Sequence, residues 1–163
     1  MALADLDAIG RDARLSPTQR SFIADLSRLI HSTRAPALNE DRILPTIAGK
    51  STPTVTIALP HRVNARQRVE IFVEPEAVVF SYDGDHLHFG YGEPYPPIEK
   101  AIGFTRDLLE GRIELEFRGW LLGAGVTTYR RNPDGTREEL QSGGYLGWIG
   151  APFRRTNRII SFE

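Results

Sequence analysis

The stretch FSYDGDHLHFG, residues 80–90, brings Asp83, Asp85, His86 and His88 close together. Carboxylates and imidazoles at this density are the raw material of a metal site or an acid/base site. Residues two apart on a strand point to the same side, so His86 and His88 could share one metal ion. Asp83 or Asp85 would then add a carboxylate. No spacing fixes a third ligand, so no metal and no cofactor is assigned. The other readings are a solvated hairpin face and a histidine-bearing protein interface.

Other residue types invite the same question. Glu114 and Glu116 share one face of an alternating strand, and paired carboxylates can divide acid and base roles when their environments differ. Flanked in sequence by Arg112 and Arg118, they read instead as a self-neutralised solvent face. Ser81, His86 and Asp85 supply the residue types of a hydrolytic triad, but no G-x-S-x-G elbow surrounds Ser81. SGGYLGWIG, residues 142–150, matches neither phosphate-binding glycine pattern. Arg154, Arg155 and Arg158 form a basic cluster that reads as a solvated strand edge.

These residues need elements to position them. Ser16-Pro17-Thr18-Gln19 is a helix start, with a capping serine, proline at the first helical position and glutamine closing a capping box. Phe22, Ile23, Leu26, Leu29 and Ile30 then recur on one helical face. Residues 35–53 carry three prolines and little periodicity, which predicts a surface connection. Residues 54–59 and 68–73 read as strands, the second with Val69, Ile71 and Val73 inward. Residues 77–82 and 85–89 flank Asp83-Gly84, a two-residue hairpin signal.

That turn sets a register. Tyr82 faces Asp85, Phe80 faces Leu87 and Val78 faces Phe89, all on the apolar side. Ser81 faces His86 and Val79 faces His88 on the other. A slip of one residue would drive the histidines into the core. Pro97 opens a second helix with Ile98, Ala101, Ile102, Thr105, Leu108 and Leu109 inward, and Gly111 stands just past its end. Residues 112–118 alternate as a strand. Residues 126–131 and 136–141 flank the turn Asn132-Pro133-Asp134-Gly135. Residues 158–162 read as a terminal strand, and the glycines of 143–150 as a bend or bulge. The prediction is an α+β fold with a largely antiparallel sheet, an N-terminal helix and one central helix packed on it. One domain covers 1–163, as a helical segment 1–34, a connection 35–53, and a sheet with its helix 54–163.

Composition narrows the function. The chain has 163 residues, 40% hydrophobic and 25% charged, which is one ordinary soluble domain. It has no cysteine, which rules out disulfides, thiol catalysis and cysteine-bound metal. The net charge of −1 argues against a globally basic nucleic-acid binder. No apolar run is long enough for a membrane helix, and no signal peptide opens the chain, so a cytoplasmic protein is expected. The charges fall in blocks. Residues 42–69 hold no Asp or Glu, and residues 70–99 hold no Lys or Arg but carry Glu70, Glu74, Glu76, Asp83, Asp85, Glu93 and Glu99. Because this acidic block spans a hairpin and its exit, several of its carboxylates are expected to lie together.

The run VEIFVEPEAVVFSYDGDHLHFG, then AIGFTRDLLEG, then RIELEFRGW resembles the small α+β immunity proteins of bacterial polymorphic-toxin systems. The resemblance covers residues 68–120. It implies a cytoplasmic bacterial protein that binds and neutralises a cognate toxin, and it carries no catalytic motif. The expected function is therefore a non-enzymatic protein-binding module whose acidic surface meets a partner with a basic surface. Glu74, Glu76, Asp83, Asp85 and Glu93 would steer that partner. Tyr82, Tyr91 and Tyr95 would anchor it, beside His86 and His88. The alternative is a small metal-dependent or acid/base hydrolase centred on the His86/His88 hairpin.

Overall fold

A computed structural model of the chain describes residues 2–33, 35–63, 68–82, 85–90, 98–119, 124–144, 154–160 and 162. Three α-helices, a 3-10 turn (Glu40–Arg42) before β1, and nine strands make up the described fold, in the order α1 (Ala2–Gly10), α2 (Pro17–Ser32), β1 (Leu44–Ala48), β2 (Thr54–Pro60), β3 (Arg68–Val73), β4 (Ala77–Tyr82), β5 (Asp85–Gly90), α3 (Lys100–Leu109), β6 (Ile113–Gly119), β7 (Ala124–Arg131), β8 (Arg137–Gly144) and β9 (Arg154–Ile160). This is an α+β fold in which every strand pairing is antiparallel. The strands form two sheets, a five-stranded meander β1-β2-β3-β4-β5 and a four-stranded sheet β8-β7-β6-β9.

The start of α2 forms as the sequence predicts. Ser16 Oγ accepts from the Gln19 amide, and the Gln19 side chain accepts from the Ser16 amide, so two otherwise unpaired N–H groups are satisfied. Gln19 is buried, and its side-chain amide donates to the Pro53 and Val73 carbonyls at 2.7 and 2.9 Å. One residue thus caps the helix and fastens it to the five-stranded sheet. Phe22, Ile23, Leu26, Leu29 and Ile30 bury the inner stripe of α2.

The inner face of the five-stranded sheet alternates as the strands require. Val55, Ile57, Leu59, Val69, Ile71, Val73, Val78, Phe80 and Leu87 are all buried there. Phe104 of α3 packs on this face, its ring centroid 4.8 Å from Phe80 and 5.5 Å from Phe89. Ile113 and Leu115 of β6 join the same core from the second sheet. Asp107 of α3, itself buried, pairs with Arg112 at 2.7 Å and with Arg130 of β7 at 2.6 Å. Helix α3 is therefore held to both sheets, by aromatic packing on one side and by ions on the other.

Two features differ from the sequence reading. A first helix, α1, precedes α2 and buries Leu6 completely. Residues 35–53 are not only a surface connection: they contain β1 and bury Leu38 and Ile43. Pro45 sits inside β1, where it is tolerated because β1 is the edge of its sheet.

Candidate functional site: the outer face of the five-stranded sheet

The histidine hairpin has the register that its turn chemistry predicts. Tyr82 pairs with Asp85, Phe80 with Leu87 and Val78 with Phe89, while Ser81 pairs with His86 and Val79 with His88. Val78, Phe80, Leu87 and Phe89 are buried. His86 is exposed and His88 half-buried on the opposite face. The turn residues Asp83 and Gly84 lie outside the described residues.

The histidines stand at one end of an outward face that crosses all five strands. By register, Thr46, Thr56, Phe72, Val79 and His88 form one row, one residue from each strand. Leu44, Ala58, Glu70, Ser81 and His86 form the next. Leu44 is 66% exposed, and Phe72 and Val79 are half-buried at the centre. Phe72 and Val79 were not among the expected interface residues. Their signal is visible in the sequence: each is a large apolar residue at an outward position of an alternating strand. Glu70 is neutralised by Arg68 at 2.6 Å.

The imidazoles of His86 and His88 sit edge to face, with ring centroids 5.1 Å apart. Burial and then the neighbouring His86 hold the His88 pKa below the usual imidazole value, and Glu74 pulls it partly back up. Gln141 of β8 donates to the His86 carbonyl at 2.7 Å, which ties the edge of one sheet to the other. Among the described residues, no group of three or more His, Asp and Glu side chains is placed to hold a metal ion.

The expected partner-binding residues divide. Glu74 and Glu76 are exposed at the turn between β3 and β4, closed by the Glu74 amide donating to the Ala77 carbonyl at 2.8 Å. Asp85 lies at the other end of β4, roughly 17 Å away for a strand of this length. Glu74 and Glu76 are therefore separated from the start of β5 by the length of β4. Tyr82 is corrected outright: it is 2% exposed, and its hydroxyl meets that of Thr128 at 3.2 Å, so it is a core residue and not an anchor. Its place on the apolar side of the register is the physical reason. Tyr91, Glu93 and Tyr95 lie outside the described residues, as does Asp83.

The Glu114/Glu116 pair is also not a solvent face. Both residues are buried. Arg137 reaches Glu114 at 3.3 Å and Glu116 at 3.8 Å, and Arg131 lies 3.6 Å from Glu114. The guanidinium of Arg137 also stacks over Tyr129, 4.7 Å from the ring centre. Among the described residues, the cations that reach them come from β7 and β8, across the sheet, while Arg112 turns to Asp107 and Glu110.

Comparison with protein-family models, with curated proteins and with solved structures returns no match. No described helix is long and apolar enough to cross a membrane.

Proposed function

We propose that this chain is a protein-binding module that receives its partner on the outer face of the five-stranded sheet. One observation carries the reading: Phe72 and Val79 stand side by side at the centre of that face, partly exposed, within a rim of polar side chains. A sheet face with an apolar centre and a polar rim has the anatomy of an interface. Glu74 and Glu76 beside it favour a partner with a basic surface, which they would attract before contact. The resemblance to immunity proteins makes a bacterial toxin the expected partner and the cytoplasm the expected compartment. In this reading the module blocks its partner by occupation and performs no catalysis.

The test is capture from the source cell with wild-type protein and with Val79→Lys. Lysine at an outward strand position leaves the core untouched but places a cation at the centre of the face. A partner recovered with wild type and lost with Val79→Lys supports the reading. Equal recovery of every bound protein by both contradicts it.

A further inference from the structure

A second surface lies between α2 and α3. The first turns of α2 and the start of α3 border an open groove of about 630 Å³. Phe22, Ile98 and Ile102 give it an apolar floor, and Asp25 and Glu99 stand at its rim. Among the described residues, no Lys or Arg lines it. Asp25 is shared with Arg28, whose side chain is 77% exposed and so free to exchange it for another cation. Glu99 has no ionic partner among the described residues.

The head of α2 beside the groove is fixed to the sheet. Ser16 Oγ, at the head of α2, donates to the Pro75 carbonyl, so the turn bearing Glu74 and Glu76 is fastened where α2 begins. Pro17 and Thr18, the next residues, line the groove. Asp25 and Glu99 are the acidic side chains among the described residues that line this apolar trough. The charge complement of such a trough is a cation on each side of an apolar group.

We propose that the α2–α3 groove binds a basic peptide segment of a partner protein, seating one Leu or Phe side chain on Phe22, Ile98 and Ile102 between Lys or Arg side chains that meet Asp25 and Glu99. The apolar side chain supplies affinity by leaving water, and the flanking cations supply orientation. This site does not depend on the sheet face, and its test uses different residues.

The probe is a capped peptide with leucine and phenylalanine between two lysines, titrated into isotope-labelled protein and followed by amide chemical shifts. Saturable shifts are expected at Ser21, Asp25 and Ile102. Asp25→Asn with Glu99→Gln should weaken binding roughly three- to tenfold, as expected for two exposed ion pairs. Ser21→Arg, an exposed helix position, should abolish it by putting a cation in the groove. Val79→Lys should leave it unchanged, which separates this site from the sheet face. The proposal is overturned if the same peptide with glutamates for lysines binds equally, or if no saturable shift appears around the groove.

Discussion

The hydroxyls of Tyr82 and Thr128 meet at 3.2 Å in the interior, joining β4 of one sheet to β7 of the other. They are 46 residues apart in the chain, so this contact closes a long loop of sequence. Tyr82→Phe keeps the ring that packs near Phe104 and removes only the hydroxyl. It should cost about 0.5–1.5 kcal/mol of stability. In a double-mutant cycle with Thr128→Val, urea unfolding should show the two losses coupled. Additive losses would mean that the pair contributes nothing beyond its separate groups.

Arg137 should matter more than surface cations do. It serves two buried carboxylates at once, so Arg137→Ala leaves Glu114 and Glu116 with less compensation. The expected loss is about 1–3 kcal/mol, moderated because the arginine itself is 40% exposed. Arg28→Ala, which removes only the partner of partly exposed Asp25, should cost roughly 0–1 kcal/mol. Chemical denaturation of the two variants compares them directly, and equal losses would contradict the assignment.

The depressed His88 pKa gives a pH dependence of known sign. The unfolded chain binds the proton near pH 6.5, and the folded chain only at lower pH. The contribution to stability is therefore complete above pH 6.5 and is lost as pH falls from there through the folded-state value. His86 and Glu74 act on the same imidazole in opposite senses. Unfolding at pH 7.5 and at lower pH should show that His88→Gln flattens this part of the profile. An unchanged slope would show that His88 does not carry it.

Charge and packing at the proposed interface should separate kinetically. Glu74 and Glu76 are exposed, so neutralising both to glutamine should slow association, and added salt should slow wild type over a screening length of ~8–10 Å. Phe72→Ala should act mostly on dissociation. Stopped-flow rates with a captured partner over a salt series test this. Rates indifferent to both salt and the double substitution would exclude steering by this turn.

Parts of the fold are legible in the sequence because independent signals agree. In the β4–β5 hairpin, the Asp-Gly turn and the apolar alternation dictate the same register. The capping box of α2 is similarly local. Helix α1 is short, and its charges and alanines leave little periodicity to read. Strand β1 was hidden by its proline and by an edge position that leaves no residue of it fully buried. Glu114 and Glu116 read as a solvent face because their neighbours in sequence are arginines, yet both are buried and, among the described residues, Arg131 of β7 and Arg137 of β8 reach them. Strand neighbours of that kind are set by topology. Phe72 and Val79 were readable as outward apolar residues, but only the register places them next to each other.

The claim that the outer sheet face docks a protein is tested most directly by hydrogen exchange on the complex with a captured partner. Protection is predicted over residues 68–82 and 85–90, with Val79→Lys abolishing both the protection and the binding while the free protein keeps its wild-type exchange pattern. Protection confined to the four-stranded sheet or to the helices, with binding intact in Val79→Lys, would contradict it.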